Sequence, residues 1–396
     1  MSVIADDRLI EVAQSVEYQW NGVALTNNNR MFVSLPRLLG DVTPSVAEIS
    51  SNNILSPFPG GQWNTYNPTT SSENVENCFV NVNAVLTDSH NNLWVVDSGM
   101  IGNRTIVKAA KLVKINLQNN TVERVYSVSS LNPPQGFALN DVRIGSHYAF
   151  LTESGLGSVV IINLQTGQVR RVLENHPSTK FVDPTVVRME GRPILDEKGQ
   201  PKTMHNNQLE LTPDGKTLFY KPPFGYNWFR VSTSDLTNET MTESELGNKV
   251  LTSWKAMPTG GTTMDDKGNI YLMDIERQTV WQQNSVDGSW TLLIHDDRIN
   301  WGDASDYDAP GGGGSYYGTK LLKAQLKNGY DYLEVFKLCK PSACSMDSDE
   351  IKSKVFPFVY DTKGQTDTET RCDSLKASLQ KIFSNHGVNV FIFSKS

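Results

Sequence analysis

Asn83–Gly99 reads NAVLTDSHNNLWVVDSG: apolar alternation, a polar turn, a second alternation carrying an aromatic, then an acid. The same phrase returns as FALNDVRIGSHYAFLTESG from Phe137, QLELTPDGKTLFYKPPF from Gln208 and GTTMDDKGNIYLMDIER from Gly261, with a weaker copy, NGVALTNNNRMFVSLPR, from Asn21. Aligned on the position after each turn, the copies place Phe32, Trp94, Ala149, Phe219 and Tyr271 in register. Their spacing, roughly fifty to seventy residues, exceeds the common solenoid periods and suits four-stranded propeller blades. Period-2 alternation such as Val80, Val82, Ala84 and Leu86 turns one side of each strand into an apolar layer. The Asp-Gly, Asn-Asn and Lys-Gly turns fit tight reversal. Outer strands are expected at Lys111 to Leu117 with Thr121 to Val128, Ser158 to Leu164 with Gln168 to Leu173, and Thr279 to Gln283 with Trp290 to Ile294.

Composition agrees. The chain has 396 residues, 38% of them hydrophobic, with 29 glycines and 18 prolines, enough for a large core in a turn-rich β architecture. No stretch approaches ~18 consecutive apolar residues, so no membrane span is expected. With 36 basic against 43 acidic residues the net charge is −7 and there is no basic run, which argues against nucleic acid as the partner. A small hydrophobic or aromatic molecule fits better. The first residues lack the pattern of a signal peptide, so either the protein is intracellular or the sequence begins after a processed leader. Sequons occur at Asn103, Asn119 and Asn238, about as many as an Asn-rich chain yields at random. Cys78 stands alone, while Cys339, Cys344 and Cys372 cluster near the end without a CxxC, leaving locally paired or unpaired thiols ahead of a metal site.

A propeller lines its axis with the innermost strand of every blade, so polar residues at one end of those strands converge on a funnel. The candidates are Asn81 and Asn83, Asn140 and Asp141, His205 and Asn206, and Thr259, Thr262 and Thr263. The second strands end at Asp97, Thr152, Glu153, Asp274 and Glu276. Asp and Asn at strand ends also cap turns, so each could serve the fold instead. His205 is the candidate acid or base, because imidazole titrates near neutrality. Its alternative is a surface histidine in the MHNN loop. Trp63, Tyr66, Trp228, Phe229 and Trp301 could form an aromatic lid or pack blade faces. The carboxylates could hold a divalent ion only if several met at the axis, and nothing in their spacing requires it. Neither a metal nor a cofactor is expected. G-x-S-x-G, G-x-G-x-x-G, Walker and H-E-x-x-H patterns are all missing from the sequence.

The ordered motifs RMFVSLPR, PSVAEI, FPGGQWNTY, VNAVLTDSHNNLWVVDSG, GFALNDVRI, YAFLTESGLGSVVIINLQTGQVRRVL and HPS resemble the yellow and major royal jelly protein family over about residues 8 to 303. The resemblance implies an all-β, six-bladed β-propeller with a ligand channel along its axis. Its insect members include amine-binding, pigment-pathway and nutritional proteins. The Asn-rich turns look more like the fungal branch, which includes hetero-Diels-Alderases of tropolonic sesquiterpenoid pathways. That likeness implies a cofactor-independent enzyme that forms a tropolone o-quinone methide and adds it to a humulene-type alkene. His205 with Asp141, Glu153 or Asp274 would move the protons. Asn81, Asn83, Asp97, Asn140, Thr152, Asn206, Thr262, Trp228 and Trp63 would bind the substrate. The alternative is a non-catalytic carrier of small aromatic or amine ligands, and a metal-dependent lactonase of related shape is a third, weaker reading.

The repeat does not continue past about residue 303. Residues 304–318, with DYDAPGGGGS, read as a glycine-rich linker, and the N-terminal strand, about Leu9 to Val16, lacks evident partners. The segment 319–396 reads either as a divergent last blade or as a small α+β appendage, with strands at YLEVFKL, KVFPFVY and VNVFIF and an amphipathic helix on Leu375, Leu379, Ile382 and Phe383.

Overall fold

The computed structural model describes residues 9–336, apart from 16–17, 38–43, 51, 53, 69–73, 182–185, 190, 197, 300–301, 308–314, 319 and 326–330. It is an all-β propeller. Each hairpin predicted from alternation forms, and each recruits two further strands to make a four-stranded antiparallel blade. The first blade consists of Trp20–Leu25, Met31–Ser34, Val46–Ile49 and Leu55–Pro57. The second is Val82–Thr87, Asn92–Asp97, Lys111–Asn116 and Thr121–Ser127, and the third Leu139–Ile144, Tyr148–Glu153, Ser158–Asn163 and Val169–Val172. The fourth is Gln208–Leu211, Thr217–Lys221, Asn227–Ser232 and Leu251–Lys255, and the fifth Thr259–Met264, Asn269–Asp274, Thr279–Asn284 and Trp290–His295. The first strand of each blade is innermost, packed against the innermost strands of its neighbours.

Turn chemistry explains why the hairpins close where they do. Asn29, Asn91, Gly215 and Gly268 occupy the same place in the first turn of four blades, and all have positive φ, between 60° and 80°. Glycine and asparagine tolerate that conformation best. In two of these turns the leading aspartate holds the loop from inside. Asp88 accepts from the N–H of His90 and Asn92, and Asp265 from that of Lys267 and Asn269. Core packing lies between blades: Trp94, Leu112, Leu139, Leu151 and Val160 pack together between the second and third, and Phe150, Val159, Leu209, Leu218 and Tyr220 between the third and fourth.

These consecutive four-stranded blades number five, against the six expected. The other large sheet is assembled differently. Leu9–Gln14 pairs with Lys320–Gln325, which pairs with Asp331–Phe336, which pairs with Gly302–Tyr307. The N-terminal strand therefore has the partners that the sequence did not reveal. Within the expected linker, 304–307 lies in a strand and Ser315–Gly318 pairs with Trp20–Leu25 of the first blade. The amphipathic helix, the strands KVFPFVY and VNVFIF, and Cys339, Cys344 and Cys372 lie outside the described residues. No helix among the described residues is long and apolar enough to cross a membrane.

Candidate functional site

The innermost strands begin at the end of the propeller that carries long connections, and three of them carry a bulge near that end. The register shifts between Val82 and Ala84, Leu139 and Val142, and Thr259 and Thr262. A bulge turns an extra side chain out of the ladder, which here presents Asn83, Asn140 and Asp141. Asn21 donates to the carbonyl and side-chain oxygens of Asn83 at 2.8 and 3.1 Å, and Asn83 donates to the Asn140 carbonyl at 3.1 Å. Asn140 reaches the Ser154 hydroxyl at 3.3 Å, and the Ser154 carbonyl accepts from the backbone of His205. Asn83, Asn140 and His205, three of the expected residues, thus lie along one polar strip. His205 Nδ1 accepts from the Phe181 N–H at 3.1 Å, which leaves the proton of the neutral ring on Nε2. Burial, and then the Lys180 ammonium, lower its pKa, so the ring is neutral at pH 7.

One step further along the axis lies a group the sequence reading saw only in part. Arg143 of the third blade donates to Asp141 at 2.9 Å and engages both oxygens of Glu210 in the fourth blade, at 3.1 and 2.8 Å. It also reaches the Thr262 carbonyl in the fifth, while the Thr262 hydroxyl donates to Glu210 at 2.6 Å. All four are buried. One cation faces two carboxylates, so the group is one negative charge in excess. Glu210 receives the bidentate guanidinium and a hydroxyl, whereas Asp141 has one guanidinium N–H and the Val142 amide. Asp141 is the less supported anion, and burial pushes its pKa up to about 7 against the opposing pull of Arg143.

Beyond this charged septum, at the short-turn end, the axis opens into a cavity of about 970 Å³. Arg143 and Glu210 form part of its wall, the aliphatic side chains of Leu86, Ile144, Leu211 and Met264 contribute from four successive blades, and its mouth includes the exposed Ser89, His90, Asp214 and Asp266. Six carboxylates line it (Asp88, Glu123, Glu210, Asp214, Asp265, Asp266) against three cations (Lys114, Arg124, Arg143), a formal balance of −3. Sequence reasoning placed the funnel at the opposite end of the same strands.

The remaining expected residues serve the blades. Asp97, Glu153 and Asp274 end the second strands of three blades and hold backbone there. Asp97 accepts from the N–H of Val80, Asn81 and Gly99, Glu153 from that of Ala138, Gly155 and Leu156, and Asp274 from that of Glu276 and Arg277. Asn81 bonds the Arg37 N–H and the Met100 carbonyl, Asn206 the Ser158 carbonyl and Thr152 the Asn207 carbonyl. Thr259 bonds the Gly261 carbonyl, and Glu276 accepts from the Arg188 N–H. Thr263 is fully buried. Trp228 and Tyr66 are buried, and Trp63 and Phe229 are packed against core clusters, so none of the four forms a lid. Trp301 lies outside the described residues. No group of three or more His, Cys, Asp or Glu side chains that could hold a metal occurs among the described residues.

In the fourth blade the strand-end position is Lys221, paired across the ladder with Gln208 as Asp97 is with Val82. It is fully buried, its Nζ donates to the Pro223 carbonyl at 3.0 Å, and the Trp228 ring lies at 6.0 Å. Burial alone lowers its pKa well below 10.5. The unfolded lysine therefore holds its proton over a range where the folded one has released it, and stability is lost as pH falls below the ordinary lysine range. Lys221→Met should stabilise the protein by roughly 1–3 kcal/mol at pH 7, by removing the cost of desolvating or deprotonating the amine. Chemical denaturation at pH 7 and 9.5 checks this: the advantage should shrink at the higher pH, and a wild type that is the more stable at pH 7 excludes the account.

The family model described as Major royal jelly protein matches residues 80–288. Protein yellow from Drosophila yakuba is 27% identical over 282 residues, covering 66% of this chain and 49% of that protein, and Protein yellow from Drosophila erecta matches to the same extent. The chain thus spans about half the length of these curated relatives. Among solved structures, a gluconolactonase from Xanthomonas campestris is similar at 12% identity, with 83% of this chain and 89% of that one covered and a TM-score of 0.47.

Proposed function

The chain belongs to the major royal jelly protein family, and from that membership and the geometry of its axis we propose that it binds a small organic cation, an aromatic or aliphatic amine, in the short-turn cavity. The observation that carries this reading is the cavity's lining: about 970 Å³, aliphatic side chains from four blades, and a formal charge of −3. The volume suits a small ligand, the aliphatic side chains would take its body, and the acidic excess would favour a positive end. The sheet that joins Leu9–Gln14 to Gly302–Tyr307, Lys320–Gln325 and Asp331–Phe336 we read as a sixth blade closing the ring around that axis.

Calorimetry with an arylethylamine and its N-acetyl derivative tests the charge requirement directly. The amine should bind at least ~10-fold tighter, a difference of about 1.4 kcal/mol. Equal affinities would refute the proposal. Because Asp141 gives up its proton around pH 7, the septum gains negative charge between pH 6 and 8. Amine affinity should therefore rise across that interval in the wild type and stay flat in Asp141→Asn.

A second reading, cofactor-independent turnover of a tropolone precursor by cycloaddition, is favoured by one feature, a carboxyl near Arg143 whose pKa lies close to neutrality. It asks for a proton donor and acceptor facing one substrate. His205 is neutral with Nδ1 engaged, and Glu153 and Asp274 are committed to backbone. Asp141 is the member of the expected set that retains this role. A rate of product formation unaltered by Asp141→Asn would remove it.

A further inference from the structure

The three sequons occupy exposed turns, but they are not equivalent. Asn119 lies in the turn between the third and fourth strands of the second blade, and Asn238 in the connection between the corresponding strands of the fourth. Both asparagines and both sequon threonines are exposed. In each, the asparagine side-chain oxygen accepts twice from the threonine two residues on. Thr121 donates from its N–H at 3.2 Å and its hydroxyl at 2.7 Å, and Thr240 from the same groups at 3.0 and 2.8 Å. This Asx-type turn uses only the carboxamide oxygen. The Nδ2 groups of Asn119 and Asn238 make no hydrogen bond among the described residues, in contrast with the axial Asn21, Asn81 and Asn83, whose Nδ2 groups all donate.

Asn103 differs. It stands exposed in the two-residue turn between Met100–Ile101 and Arg104–Thr105, but its sequon threonine is buried, and the Thr105 hydroxyl donates to the Phe137 carbonyl at 3.0 Å. A transferase that needs the threonine hydroxyl reaches this sequon only before the turn has packed.

We propose that Asn119 and Asn238 are N-glycosylation acceptors, each carrying an oligosaccharide at the short-turn end of the propeller, and that Asn103 is modified to a lesser extent. The donor is a polyprenyl-pyrophosphate-linked oligosaccharide. The bond from Nδ2 to the sugar C1 forms, the bond from C1 to the pyrophosphate oxygen breaks, the lipid pyrophosphate leaves and the displaced amide proton passes to solvent. Although Leu117 and Leu236 nearby are buried in the blade cores, the asparagine side chains themselves are exposed, so a bulky hydrophilic group there displaces no packed side chain. The first strands' turns that rim the axial cavity lie at the same end, which places one glycan on the second blade and one on the fourth, beside its mouth.

Peptide mapping of the full chain recovered from the cells that naturally make it provides the test. Release by peptide amidase in ¹⁸O-water converts each occupied asparagine to ¹⁸O-labelled aspartate. Label at 119 and 238 in most molecules, with a lower fraction at 103, is the expected result, and Asn119→Gln and Asn238→Gln should each remove the mass of one glycan from the intact protein. Unlabelled asparagine at both 119 and 238 overturns the proposal. Occupancy at 103 equal to or above the other two overturns the part of it that rests on turn geometry.

Discussion

Replacing Arg143 by methionine should destabilise the protein by ~3–5 kcal/mol, the usual effect of leaving buried carboxylates without their cation. The guanidinium ties three blades together: it is anchored in the third, is bidentate to Glu210 of the fourth and bonds the Thr262 carbonyl of the fifth. Methionine fills much of the same volume but donates nothing, so Asp141 and Glu210 would face one another across the axis in a low dielectric. Asp141, with a pKa already pushed up to about 7, would take up a proton and relieve part of the repulsion, whereas the lost bonds to Glu210 and to two backbone carbonyls have no such relief. Urea denaturation gives the magnitude, and the triple variant Arg143→Met, Asp141→Asn, Glu210→Gln gives the cause. If buried charge is the problem, the triple variant regains a large part of the loss, a non-additive result expected of a coupled network. A single variant within ~1 kcal/mol of the wild type would show that the septum is worth no more than a surface pair.

This group also marks where reading the sequence stopped short. Alternation located the strands to within a residue or so: Lys111–Asn116 and Trp290–His295, for example, lie where the pattern puts them. For the innermost strands, the axial expectation rests on amides, hydroxyls and acids near one end. Arg143 in NDVRI and Glu210 in LEL are charges set in apolar strands, and a charge at such a position must have a buried partner. That signal was available. Which charge meets which was not, because Arg143 and Glu210 are 67 residues apart and pair only through the adjacency of two blades.

Asp97, Glu153 and Asp274 are the converse case, acids expected in the funnel that hold backbone at the strand ends. Their recurrence at the same place in three copies of the repeat drew them into the expected funnel. Recurrence in three of the five blades fits an architectural role: Asp97 and Glu153 tie the second strand to the segment entering the first, and Asp274 holds the turn that follows its own strand. The sheet that pairs Leu9–Gln14 with Lys320–Gln325 was invisible for a related reason. Leu9–Gln14 and Lys320–Gln325 are joined by backbone pairing across more than three hundred residues, and neither carries the repeat whose copies identified the others.

Asp97→Leu should cost about as much as Arg143→Met, ~3–5 kcal/mol, yet leave the amine affinity proposed for the folded protein unchanged. The Asp97 carboxylate is fully buried and serves four donors: the N–H groups of Val80, Asn81 and Gly99 at 2.7, 3.0 and 3.1 Å, and the Lys111 ammonium at 2.8 Å. Lys111 in turn holds the carbonyls of Val75 and Ala109, so this pair fastens both long connections of the second blade. Leucine removes the acceptor and strands an ammonium in a site that excludes water. Lys111→Met combined with Asp97→Leu removes that charge and should recover part of the stability, leaving the orphaned amides as the residual cost. The fourth blade supplies a natural comparison, because Lys221 occupies the equivalent place opposite Trp228 and the blade still folds. The position can therefore carry something other than an acid when its surroundings change with it. Calorimetry on Asp97→Leu, under conditions where it remains folded, separates structure from binding. Amine affinity within twofold of wild type assigns Asp97 to the scaffold, whereas loss of binding by a folded variant would return it to the ligand site that its sequence context suggested.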